Sequence, residues 1–133
     1  MNIYLDIDGV LLANENNVAE GADDFLQYVI KNHDVYWLTT HCHGVATVPV
    51  ERFGHMFEPE TQKLLPKIRA TDWREAKTEA IDFSQPFLWF DDDLYDDERN
   101  ALFKHGAIGS WIEVDLAKNP EQLKLALEAV QRL

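Results

Sequence analysis

Apolar positions along the chain fall into two patterns, short continuous runs and stripes at helical spacing, and these mark the elements. Ile3 to Ile7 is a short, β-rich run closed by Asp8-Gly9, and Val35 to Leu38 and Phe87 to Phe90 are similar runs that end in polar residues. Runs of this length and composition predict buried strands. Between the first two, Ala22, Phe25, Leu26, Val29 and Ile30 recur at helical spacing after Gly21 and before Asn32 and His33. That stripe predicts an amphipathic helix lying on one sheet face.

Beyond the third strand, Leu94 to Lys104 reads as a helix whose first turns are acidic, with Gly106 past its end. Acidic side chains suit the positive end of a helix dipole, and Asp93 is expected to cap it. Trp111 to Val114 predicts another strand. From Glu121 to Leu133, the residues Leu123, Ala126, Leu127, Val130 and Leu133 share one stripe, entered through Asn119-Pro120. This last helix is expected to seal the opposite edge of the core. The middle, 41–72, is cut into short pieces by Pro49, Gly54, Pro59 and Pro66, with 67–70 reading as a weak strand. Alternating strands and helices predict an α/β fold: a three-layer, Rossmann-like parallel sheet with helices on both faces.

The 133 residues suffice for one domain, 1–133, and 46% apolar residues supply a core. Acidic residues outnumber basic ones by 24 to 12, which disfavours bulk nucleic-acid binding, because that mode gains affinity by neutralising phosphates. No apolar run approaches the length of a membrane span and no basic-then-apolar leader opens the chain, so a soluble, cytoplasmic protein is expected. Cys42 is the only cysteine, which rules out an internal disulfide and a multi-cysteine zinc site.

In a parallel sheet, ligands collect beyond the carboxyl ends of the strands. The polar residues ending the apolar runs are Asp6 and Asp8, Thr39 and Thr40, then Asp91 and Asp92. At about 4 Å and an effective dielectric of about 20, each like-charged pair costs roughly 4 kcal/mol, so such a cluster protonates or recruits a cation. Oxygen donors of this kind suit Mg2+. Asp6 and Asp8 are two apart, so in a strand both project the same way, roughly 6 to 7 Å apart. Asp8-Gly9 also reads as a tight turn, Asp91 to Asp93 as a helix cap, and Thr39 as an ordinary strand-end hydroxyl. A carboxylate at Asp6, among Ile3, Leu5 and Ile7, is costly in a purely structural strand. His41, Cys42 and His43 read as a polar loop, and Trp37 and Trp89 as core; Trp73 and Trp111 are assigned no substrate contact.

Ile-Tyr-Leu-Asp-Ile-Asp-Gly-Val-Leu-Leu at 3–12 resembles the first signature of the haloacid dehalogenase-like superfamily. Tyr36-Trp37-Leu38-Thr39 is similar to its second, an apolar strand ending in Thr or Ser, and Leu88-Trp89-Phe90-Asp91-Asp92 to its fourth. The third is a lysine upstream of that last strand, matched by Lys77, with Lys67 as the other candidate. The resemblance implies a magnesium-dependent phosphohydrolase. In it Asp6 is the nucleophile and forms an aspartyl-phosphate, Asp8 is general acid and base, and Thr39 and Lys77 hold the phosphate. Asp6, Asp8, Asp91 and Asp92 surround the metal.

Cap domains of the family are inserted after the first signature or between the second and third. Val10 to Gly21 and Thr40 to Asp72 are short for that, so no large cap is expected, and the substrate is a phosphorylated compound of open identity. Two other readings stand beside this one: a non-catalytic magnesium- and phosphate-binding regulatory or interaction module on the same fold, and a receiver-like phospho-acceptor domain. In a receiver the acids and the Thr follow a different order.

Overall fold

The computed structural model describes residues 1–133. Strands β1 (Asn2–Leu5), β4 (Asp34–Trp37), β5 (Phe87–Asp91) and β6 (Trp111–Glu113) form one sheet in the order β4-β1-β5-β6. Every pairing is parallel. A two-residue strand, β3 (Asn17–Val18), pairs antiparallel with β2 (Leu12–Asn14) in a small hairpin after β1. The helices are α1 (Ala22–Asn32), α2 (Thr47–Phe53), α3 (Pro59–Leu64), α4 (Asp96–Lys104) and α5 (Gln122–Gln131).

Strand alternation sorts the core into two faces. Ile3, Leu5, Val35, Trp37 and Phe90 pack with Phe25, Leu26 and Val29 of α1 and Leu123 and Val130 of α5. Tyr4, Leu38, Phe87 and Trp89 point the other way and meet Leu102 of α4 and Ile81. This is an α/β protein with a four-stranded parallel sheet flanked by helices on both sides, compatible with a Rossmann-like arrangement. No helix is long and apolar enough to cross a membrane.

Two expectations need correction. The C-terminal helix does not close the opposite side; α5 lies beside α1 and shares its core cluster. The apolar stripes of α1 and α5 join the same core cluster, whereas α4 shares the other face with the short segments around Ile81 and Ile108. The stretch 67–70 is not a strand. After the 3-10 turn Leu65–Lys67, which holds Pro66 as its second residue, the chain becomes extended only at Ile68, and only Arg69 bridges to Tyr36 at the β4 edge. The middle segment folds as α2 and α3 with two 3-10 turns, and its Phe57, Leu65 and Ile68 join the main core.

Candidate active site at the carboxyl edge of the sheet

The strand register brings the acids together. Leu5 pairs with Phe90 and with Trp37, so one step further Asp6 stands beside Asp91, and the Asp6 N–H donates to the Phe90 carbonyl at 3.1 Å. Oxygens of Asp6, Asp91 and Asp92 lie within 4.8 Å of one another. They line a pocket of about 300 Å³ together with Asp8, Thr40 and Lys77, and with Tyr95 and Glu98 on the α4 side. Lys77 Nζ donates to Asp91 Oδ2 at 2.6 Å and sits 3.5 Å from Asp6 Oδ2. Lys67, the other candidate, lines a separate pocket with His33 and Asp34, at the amino end of β4.

Charge and burial conflict at these positions. Burial pushes the Asp6 carboxyl up to about 7, the negative Asp91 adds to the rise, and Lys77 opposes it. Asp92 is pushed up to about 6, first by desolvation and then by its contact with Asp91. For Lys77, burial alone favours the neutral amine, but the combined pull of Asp6 and Asp91 wins and raises its pKa. One ammonium therefore faces three carboxyl groups.

Lys77 is held by two glutamates that the sequence reading did not single out. Glu79 accepts the backbone N–H groups of Arg74, Glu75 and Ala76 at 3.3, 3.0 and 2.8 Å, which shapes the 3-10 turn Lys77–Ala80. Glu98, 3% exposed, accepts the Lys77 N–H and the Tyr95 N–H, both at 3.1 Å. It thereby ties the lysine turn to the start of α4, and burial raises its pKa. Asp91 is fixed from below by Trp89, whose Nε1 donates to Oδ2 at 3.2 Å, and from beyond by the N–H groups of Asp92 and Asp93 on Oδ1. The only local signal for Glu98 was its place in the acidic first turn of α4.

Other expected residues lie differently. Asp8 stands on the pocket wall but outside the close group of three acids; its Oδ2 is 2.7 Å from His41 Nε2. Asp8 follows the end of β1, and the chain turns at Gly9, so strict strand alternation no longer governs it. Thr39 is fully buried and its hydroxyl accepts the His41 N–H at 3.3 Å, while the neighbouring Thr40 lines the pocket. Asp93 does not cap α4: it accepts the Leu94 N–H at 2.9 Å, the helix starts at Asp96, and Glu98 reaches back instead. His41 belongs to the site, whereas Cys42 is buried beside Val45 and Thr71. Trp37 and Trp89 are core, as read.

Gly9 lets the first loop approach the acids. Its φ is +75°, and a Cβ there would run into the Asp92 carboxylate.

The donor set is all oxygen, supplied by Asp6, Asp91 and Asp92. Its negative charge exceeds what Lys77 supplies, and two of its members are driven toward protonation where no further cation is bound. Three carboxylates grouped this closely could hold a metal cation. Comparison with protein-family models, with curated proteins and with solved structures gave no match to this chain. Fold and site together define an α/β protein with an acidic, lysine-containing pocket at the carboxyl edge of a parallel sheet.

Proposed function

We propose that the chain is a magnesium-dependent phosphohydrolase of the haloacid dehalogenase-like type, working through an aspartyl-phosphate on Asp6. The observation that supports this best is the Lys77 ammonium lying between Asp6 and Asp91, with Asp92 within reach of both. A buried carboxylate next to a lysine and a multi-carboxylate oxygen cluster suits phosphoryl transfer, which needs charge neutralisation more than further covalent machinery.

In the first step an Asp6 oxygen bonds to phosphorus as the ester P–O bond breaks, and Asp8 delivers its proton to the departing oxygen. In the second, Asp8 takes a proton from water, whose oxygen attacks phosphorus; the acyl-phosphate bond breaks, which frees inorganic phosphate and restores the Asp6 carboxylate. Asp6, Asp91 and Asp92 would hold the magnesium, which when bound supplies positive charge against the phosphate oxygens. Lys77 neutralises the same oxygens from the side of α4, and Thr40 rather than Thr39 offers the hydroxyl on the pocket wall. The segments between the strands are short elements with no large insertion among them, which suits a phosphate carried on a larger group.

Beryllofluoride, a mimic of a phosphoryl group on a carboxylate, tests the assignment without knowledge of the substrate. In magnesium, 19F spectra of the protein should show a bound adduct that disappears in Asp6→Asn and on chelation. An adduct that persists in the Asn variant rejects Asp6 as the acceptor, and no adduct in the unaltered protein rejects the function.

A further inference from the structure

His41 connects two charged side chains. Its Nε2 lies 2.7 Å from Asp8 Oδ2, its Nδ1 lies 3.1 Å from an Arg52 guanidinium nitrogen, and its ring rests edge-on against Phe53 at 4.8 Å. The imidazole is 18% exposed, whereas the Asp8 side chain is 68% exposed. A guanidinium can only donate hydrogen bonds, so Nδ1 must accept. The one proton of the neutral ring then sits on Nε2 and points at Asp8. The backbone of His41 is fixed as well, since its N–H donates to the buried Thr39 hydroxyl.

An exposed aspartate just past a strand end has free rotamers, and a proton donor must be aimed to within hydrogen-bond reach of its acceptor. From this geometry we propose that His41, set in its Nε2–H tautomer by Arg52, is a positioning residue. It holds one oxygen of Asp8 and leaves the other to exchange a proton with the leaving group. The inference rests on the phosphohydrolase reading above and adds residues outside the four signatures. The chain path explains the arrangement: Asp8 follows β1, His41 follows β4, and these strands are hydrogen-bonded neighbours. Arg52, near the end of α2, comes from the middle segment, which gives that segment a part in the site.

Leaving groups distinguish this role from a structural one. 4-Nitrophenolate departs from phosphorus with little help from an acid, whereas phenolate needs a proton, so misplacing Asp8 harms phenyl phosphate most. His41→Ala should lower kcat on phenyl phosphate by roughly 10- to 100-fold, up to the lower end of what general acid catalysis contributes because Asp8 itself remains, and on 4-nitrophenyl phosphate by no more than about threefold. KM should change little for either. His41→Gln, whose amide N–H can take the place of Nε2–H, should recover most of the loss, and Arg52→Met should reproduce part of it.

Beryllofluoride binding by His41→Ala serves as the fold control, because that adduct has no leaving group. Equal losses on the two esters, failure of the Gln variant to recover, or loss of the adduct in His41→Ala each overturn the positioning role while the phosphohydrolase reading stands. An unaltered protein that releases phosphate from neither ester overturns the inference together with the proposed turnover.

Discussion

The Glu98 carboxylate accepts the backbone N–H of Lys77, 21 positions earlier in the chain, and so couples the first turn of α4 to the lysine that faces the acids. Because Glu98 also takes the Tyr95 N–H and is buried, truncation leaves two N–H groups without their acceptor. Glu98→Ala should cost about 1 to 3 kcal/mol in denaturant unfolding, the usual penalty for orphaned buried donors. Phosphate release should fall further than that destabilisation explains, because the lysine turn loses its tether. A variant as active as the parent under conditions where both are folded would show that the turn holds Lys77 unaided.

Lys77 opposes the rise in the Asp6 pKa, so removing its charge should push that pKa higher still. Lys77→Met is expected to lose about 100-fold or more in turnover, in the range of single electrostatic contacts to a transition state. Its residual activity should have an acidic limb displaced to higher pH, because the proposed mechanism needs a deprotonated Asp6. Lys77→Arg keeps the charge and should keep the limb in place. A pH profile unmoved in Lys77→Met would mean that another group sets the limb.

The fold and half of the site were legible because they depend on local pattern. Short apolar runs that end in polar residues identified β1, β4 and β5, and parallel pairing of β1 with β5 then placed the acids at their ends side by side. Lys77 could be named but not positioned, since the turn carrying it is shaped by Glu79 and anchored by Glu98 rather than by any periodicity. His41 was read as loop because its meaning lies in partners 33 and 11 positions away. The stripe of α5 announced that it packs without saying on which side, since an amphipathic face is satisfied by either. The choice of Thr40 over Thr39 at the pocket wall follows from chain direction after β4 ends, which neither propensity nor spacing specifies.

Asp6 and Asp92 both have folded pKa values above the ordinary 3.8 of an aspartate, at about 7 and about 6. Between those limits the folded chain binds more protons at these groups than the unfolded chain does, so their contribution to stability is full below pH about 4 and declines as pH rises to about 7. In chelator, Asp6→Asn should therefore gain melting temperature over the parent at pH 8 and lose that advantage by pH 4. Magnesium should reverse the order at pH 8, because it binds the deprotonated acids and stabilises the form that holds it. The magnesium-induced rise in melting temperature should accordingly be larger at pH 8 than at pH 5.5. A rise independent of pH would argue against binding at these carboxylates.

Gly9 brings the backbone of the loop after β1 directly against Asp92, one of the three clustered acids. With φ at +75° it occupies a conformation that an L side chain adopts only with strain, and an added Cβ would collide with the Asp92 carboxylate. Relief requires either the loop or Asp92 to move, and Asp92 is the exposed one of the three acids whereas Asp6 and Asp91 are buried. Gly9→Ala should destabilise the chain by about 1 to 2 kcal/mol and weaken magnesium binding, measured by calorimetry, by roughly tenfold or more. The double variant Gly9→Ala with Asp92→Ala separates the two effects. Removing the carboxylate relieves the collision but leaves the positive φ, so the double variant should recover stability relative to Gly9→Ala while magnesium affinity stays low. If it recovers none, the backbone conformation rather than the approach to Asp92 is what demands glycine.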